Sequence, residues 1–284
     1  MTEIDLHAEV AVLCRNRDLH PELVRPLFEH QTGFQYLPES IWAECEEKDG
    51  ALYYRGHRYT AVVDAENHFP GVPRYDATAF APDCLCSPAQ PKLRCAHFVK
   101  DGTACWFLVN EGNETIHTTL TLPTEQKVGV YDLWNNTVVR QPATQAENGA
   151  AIDLHLSVCG SVLLFACTEE AYEILPGPRS TYALPCPAFT LTDTDPSAAR
   201  KTYLAHIQIS AEELNSPSLT LTVTAEEMAE LSVNGKSIGA CFWAPQSFEL
   251  QGLLHEGENE LILTVTGNMA NLYGKQPVEY GLHL

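Results

Sequence analysis

Beyond residue 92 the chain alternates apolar and polar residues with a period of two. In TIHTTLTL, Ile116, Thr118, Leu120 and Leu122 fall on one face. In AIDLHLSV, Ile152, Leu154, Leu156 and Val158 face inward, and Asp153, His155 and Ser157 face outward. That period belongs to a strand with one buried face. CWFLVN and KVGVYDL read as further strands, and SVLLFA, apolar throughout, reads as a central one. A second set follows residue 188: SLTLTVT, AELSV, KSIGACFW, QSFEL and ELILTVT. In it Leu219, Leu221 and Val223 share a buried face. Simple alternation sets Ile238, Ala240 and Phe242 on one face of KSIGACFW and Gly239, Cys241 and Trp243 on the other. Asn234-Gly235 supplies the two residues with φ > 0 of a type I′ hairpin turn. Gly112-Asn113 and Asn135-Asn136 are further turn sites.

The N-terminal 75 residues differ. LHPELVRPLFEHQTGFQYL reads as short helices, one opening at Pro21. GALYYRGHRYTAVV reads as a hairpin or two short strands around Arg55-Gly56-His57. PGVPRYDATAFAPDCLCSPAQP has no periodicity and reads as a linker or irregular loop. LPGPRSTYALPCP, at 175–187, marks a domain junction. The expected fold is mostly β. A small α+β segment (1–75) and a linker (76–91) precede two tandem antiparallel β-sandwich domains, 92–175 and 184–284.

Composition narrows the functional classes. The 284 residues include 17 Lys+Arg against 37 Asp+Glu, a formal net charge of −20. Such a chain repels phosphate backbones and anionic lipid, so neither nucleic acid nor membrane is expected as a partner. MTEIDLHAEVAVLCRNRD has no basic region followed by a long apolar run, which reads as a cytoplasmic start. The ten cysteines then read as free thiols. Cys159, Cys167 and Cys241 lie in apolar runs and read as small buried hydrophobes. Cys84, Cys86, Cys95 and Cys105 form a denser group. Zinc is conceivable there, but paired C-x2-C knuckles are missing, so no metal or cofactor is expected. The eleven His are scattered, and His117 and His155 read as solvent-face residues of strands. The asparagines of Asn113-Glu-Thr and Asn135-Asn-Thr would be glycosylated only on export. Nucleophile-elbow, phosphate-loop and dinucleotide fingerprints are all missing.

LSVNGKSIGACFWAPQSFELQGLLHEGENELILTVTGNMAN resembles the galactose-binding-like jelly roll of large glycoside hydrolases, family-two β-glycosidases and multidomain α-L-rhamnosidases among them. Asn234, Gly235, Gly239, Pro245, Phe248, Leu254, Gly257, Asn259 and Asn271 carry the resemblance. TACWFLVNEGNETIHTTLTL, VGVYDLWNNTV and AIDLHLSVCGSVLLFA resemble the sandwich that precedes it in those enzymes. FQYLPESIW and DGALYYRGHRYTAVV resemble part of the α/β domain that follows their catalytic barrel. The barrel itself, about 250 residues, has no counterpart.

The resemblance implies a non-catalytic accessory chain, or a C-terminal fragment of a glycoside hydrolase, that binds carbohydrate or packs against a catalytic domain. Pyranose rings stack on aromatic faces while their hydroxyls take polar partners at the rim. The candidate carbohydrate-binding residues are Trp243, Tyr273 and Tyr280 with Asn268 and Asn271, and for Trp243 packing is weighed ahead of stacking. One competing class is a small glycosidase with an unrecognised carboxylate pair; spacing nominates no pair, Glu226, Glu227, Glu230, Glu256, Glu258 and Glu260 read as solvated loop acids, and Asp132 beside Trp134 is the more interesting single acid. The other is a structural, self-associating β-sandwich protein.

Overall fold

The computed structural model describes residues 4–15, 19, 21–133, 136–178, 182–216, 218–275 and 278–283. Trp134 and Asn135, beside Asp132 and in the second sequon, lie outside the described residues. The chain divides into two compact units, Met1–Pro178 and Arg179–Leu284. No helix among the described residues is long and apolar enough to cross a membrane.

The first unit begins with a small parallel sheet. Strand Val10–Cys14 is flanked by Phe34–Pro38 and Ala61–Val63, both parallel to it. All five residues of Val10–Cys14 are buried, as expected of a central parallel strand covered on both faces. Helix Pro21–Glu29 connects two of these strands and opens at Pro21 as expected. Its Val24 and Leu27, three positions apart and so on one face, pack with Val10, Val12 and Ala61. The other face, Ala11 and Leu13, packs with Leu37, Leu52, Tyr59 and Val62. The hairpin expected around Arg55-Gly56 pairs Ala51–Tyr54 with His57–Tyr59. Arg55 and Gly56 both take positive φ, 48° and 85°, matching strand twist.

The rest of this unit is a sandwich. Among the described residues, six strands order as Ile4–Leu6, Leu93–Lys100, Thr103–Asn110, Ser161–Cys167, Lys127–Asp132 and Thr137–Gln141. Four more order as Thr144–Ala146, Gly149–Leu156, Ile116–Leu122 and Leu85–Ser87. Ser161–Cys167, the all-apolar run, has partners on both sides. Trp106, Leu108, Leu120, Leu122, Ile152, Leu154 and Leu164 fill the core between the sheets. Val158 lies past the end of its strand, half-buried rather than in the core. His117 and His155 face each other across neighbouring strands and are exposed, as expected.

The stretch expected as a linker, 76–91, contributes a strand to this sandwich. Leu85–Ser87 pairs with Ile116–Leu122, and Cys84 and Cys86 are buried in the core while Leu85 is exposed. A three-residue strand among prolines leaves too little alternation to read.

The second unit is also a sandwich. Five strands order as Thr190–Asp195, Arg200–Ile209, Gly257–Thr266, Met228–Val233 and Lys236–Cys241, and three as Tyr182–Leu184, Leu219–Val223 and Gln246–Glu249, among the described residues. Leu219, Leu221 and Phe248 from the smaller sheet meet Tyr203, Leu231, Leu261 and Leu263 from the larger. Asn234 and Gly235 take φ of 50° and 77°, as the type I′ turn requires.

One expectation is corrected here. Simple alternation put Ile238, Ala240 and Phe242 on one face. The register shows Leu231 opposite Gly239 but Ser232 opposite Ser237, so Ile238 is the extra residue of a β-bulge. A bulge shifts the alternation by one. Ile238 and Cys241 therefore both pack on the core, and Ala240 and Phe242 are exposed. Gly239 takes φ of 121° at the bulge, a conformation open to glycine.

Candidate functional site

A carboxylate buried between two histidines lies in the first unit. Strand Ile4–Leu6 pairs with Leu93–Lys100, and just past it the His7 N–H donates to the His97 carbonyl at 2.9 Å. That pairing brings the two imidazoles together, ring centroids 4.5 Å apart and planes tilted by 36°. His97 is also stacked on Trp106 at 4.9 Å and 14°. The loop before Leu85–Ser87 delivers Asp83 to them. Its backbone is held at both ends: the Asp83 N–H donates to the Gln31 carbonyl, and Trp106 Nε1 donates to the Asp83 carbonyl. Gln31 is itself fixed by side-chain hydrogen bonds to the Gln90 and Leu93 carbonyls.

The result is a compact donor set. His7 Nδ1 lies 2.8 Å and His97 Nδ1 3.3 Å from the same oxygen, Asp83 Oδ1. Asp83 Oδ2 is buried and has no hydrogen-bond partner among the described residues. The Asp83 side chain is 6% exposed and that of His7 45%, so the cluster runs from interior to surface. Burial raises the carboxyl pKa of Asp83, but the hydrogen bonds from His7 and His97 outweigh it and hold the carboxyl below its usual range. The bond to Asp83 raises the pKa of His7 against the effect of its own burial. A cleft of about 190 Å³ opens beside the imidazoles, lined by His7, Phe28, Gly33, Arg94, Cys95 and His97 among others. Gly33 is required there: a Cβ would overlap the His7 carbonyl and sit 2.6 Å from Asp83 Oδ2.

Sequence reasoning missed this cluster because Asp83 is 76 residues from His7 and 14 from His97, with no motif spacing. A signal was present in LRCAHFVK. Leu93, Cys95 and His97 alternate on one face, which places a histidine at an inward position.

Of the four thiols grouped in the sequence, Cys84, Cys86 and Cys95 lie together. The free Cys84 thiol is in hydrogen-bond contact with those of Cys86 and Cys95. The bond with Cys86 lowers the Cys84 pKa, but Cys95 and burial more than offset it and leave it well above the thiol range. Cys86 is raised by its bond to Cys84 and by burial. Cys105 instead meets the Thr103 carbonyl at 3.6 Å.

In the second unit the predicted sugar-binding residues fall at one end of the larger sheet. Met228 pairs with Thr266 and Ala229 with Cys241. The strand ends leading to Trp243 and to Asn268 therefore lie at the same end of the sheet, on either side of strand Met228–Val233. Trp243 is 44% and Tyr273 78% exposed. The Phe242 and Trp243 rings lie 6.3 Å apart. Asn268 caps helix Met269–Tyr273: its Oδ1 accepts from the Ala270 N–H, and its Nδ2 donates to Glu227 at 2.6 Å. Asn271 completes the capping box through the Asn268 N–H, and its Nδ2 donates to the Val278 carbonyl. The Tyr280 ring lies under Lys201 Nζ at 4.7 Å, and both Tyr280 and Asn271 crowd Gly267. Asn268, Asn271 and Tyr280 thus cluster, each engaged within the fold, while Trp243 and Tyr273 offer exposed ring surface. Of the acids considered, Glu226 pairs with His283 at 2.8 Å and Glu227 takes Asn268.

No family model matches this chain, and no curated protein matches it in sequence. Among solved structures it is similar in fold to a rhamnosidase from Novosphingobium sp. PP1Y, with a TM-score of 0.62 and 13% identity over 93% of this chain. The match covers 35% of that protein, so the chain spans about a third of its length. A secreted serine protease, VesC, from Vibrio cholerae is 10% identical over 57% of this chain and 42% of its own, at a TM-score of 0.19. That score carries no argument.

Proposed function

We propose that this chain is a non-catalytic β portion of a glycoside-hydrolase-type protein, whose second unit is a galactose-binding-like jelly roll that binds carbohydrate. The fold likeness to a rhamnosidase over 93% of the chain is the observation that carries this reading. The exposed ring surface of Phe242, Trp243 and Tyr273 supports it, because a sugar's C–H face stacks on such surface. The exposed carboxylate of Glu227, which accepts from Asn268 on one oxygen, supplies a hydrogen-bonding group of the kind hydroxyls need.

Calorimetry of the full chain against a panel of mono- and oligosaccharides, L-rhamnose included, tests it. Binding is expected, with at least a tenfold loss in Trp243→Ala or Tyr273→Ala and an unchanged melting curve. A silent panel overturns the carbohydrate reading. Turnover of aryl glycosides by the isolated chain overturns the non-catalytic one.

A further inference from the structure

We infer that His7, Asp83 and His97 together hold one divalent transition-metal ion of the zinc class, with a further ligand position facing the adjoining cleft. This inference concerns the first unit and is independent of the carbohydrate reading.

The donor set is the first argument. One ring nitrogen of His7, one of His97 and an Asp83 carboxylate oxygen all lie within 4.8 Å of one another. Zinc binds imidazole nitrogen and carboxylate oxygen at about 2.0–2.2 Å, which puts neighbouring tetrahedral ligands about 3.3–3.5 Å apart. The observed 2.8 and 3.3 Å need only small side-chain shifts to admit the ion. Two imidazoles with one carboxylate favour a transition metal over magnesium or calcium, which take oxygen ligands.

The second argument is the lopsided bonding of Asp83. Both imidazole donors converge on Oδ1, while Oδ2 is buried without a partner among the described residues. A hydrogen-bonded network evolved to satisfy a buried carboxylate would distribute its donors over both oxygens. A buried carboxylate oxygen with unused lone pairs is a ready acceptor for a cation. Rigidity is the third argument. Trp106 holds the Asp83 carbonyl and stacks on His97, so two of the three ligands are oriented in advance, as metal sites require. His7, half-exposed, completes the set from the cleft side, where water can take the remaining position.

Binding is a ligand exchange without redox chemistry. The ion replaces the two Nδ1–H···Oδ1 hydrogen bonds. Each imidazole ligates through the Nδ1 lone pair and carries its proton on Nε2, and any proton in excess of that leaves to solvent.

The test uses the full chain stripped with a chelator. Cobalt(II) is followed by its visible absorption and zinc(II) by calorimetry, with magnesium(II) as the control. The expected result is one ion per chain, a higher melting temperature with zinc but not magnesium, and a cobalt spectrum without the near-ultraviolet thiolate charge-transfer band. His7→Ala, whose ring is half-exposed, should fold and lose at least about 100-fold in affinity, the upper end of what losing even an outer partner costs. Asp83→Asn is expected to lose binding as well, and if it fails to fold His7→Ala decides alone. No binding to the wild-type chain overturns the inference. So does unchanged affinity in His7→Ala, or a thiolate band, which would move the metal to the cysteines.

Discussion

Each unit buries a polar side chain at a place where strands meet, and the two are satisfied differently. In the second unit Asn259, 1% exposed, is fully engaged. Its Oδ1 accepts from Asn234 Nδ2 and the His255 N–H, and its Nδ2 donates to the His255 and Gly257 carbonyls. Asn234 in turn accepts the Glu260 N–H. This neutral network locks the Asn234-Gly235 turn onto the Gly257–Thr266 strand and has no capacity left. In the first unit Asp83 takes both histidines on one oxygen, has no partner for the other among the described residues, and is open through His7 to a cleft. A buried polar group that is saturated serves the fold, and one that is left short has the means to bind something.

The largest effect is expected where the first cluster meets the core. Trp106 is fully buried, stacks on His97 and holds the Asp83 carbonyl. Trp106→Ala should cost about 3–5 kcal/mol, read from urea denaturation, and should abolish metal binding with it. Asn259→Ala should cost about 1–3 kcal/mol, since it strands several groups at one turn. Its effect should appear in the melting of the second unit and leave the metal response unchanged. A metal response lost in Asn259→Ala would break the contrast between the two clusters.

Asp64 sharpens the comparison from within the first unit. It is as buried as Asp83, but both its oxygens are used: Oδ1 accepts from the Glu66 N–H and meets His68 Nδ1, and Oδ2 accepts from the Phe69 N–H. Burial raises its pKa, yet these hydrogen bonds outweigh burial and lower it. A carboxyl depressed in the folded state contributes stability that is fully present above its unfolded pKa, about 3.9. The contribution is lost as pH falls through the lower, folded value. Acid titration of the melting temperature should therefore be shallower below about pH 4 in Asp64→Asn than in the wild type. Identical slopes would sink the assignment.

Strand existence was legible wherever alternation ran long enough. Ile116 to Leu122 and Ile152 to Leu156 face as the sequence implied, because one-sided burial writes itself as a period of two. The Asn234-Gly235 turn was legible because few residue pairs tolerate two positive φ values. The bulge at Ile238 was not, since it depends on the partner strand's register. The strand at 85–87 was too short to show a period. The His7–Asp83–His97 cluster escaped for a further reason. Its members come from three separate segments, and only the sandwich topology brings them together. The candidate sugar-binding residues were chosen by residue type. Sequence could not show that Asn268 and Asn271 would be taken up by a helix cap.

The smallest stability effect is expected at Trp243, where the two units invite opposite treatment of an aromatic residue. Trp106 and Trp243 carry the same indole, but one is fully buried and the other is 44% exposed at a strand end. Truncating an exposed ring removes little area that folding had taken from water. Trp243→Ala should therefore change stability by less than about 1 kcal/mol, read from the same urea denaturation as Trp106→Ala. A loss above about 2 kcal/mol, in the range of a buried side chain, would make Trp243 a packing residue and remove the main ring from the proposed sugar platform. A small change in stability joined to a lost sugar response would assign the ring to binding. The ratio of the two effects, rather than either alone, separates the roles.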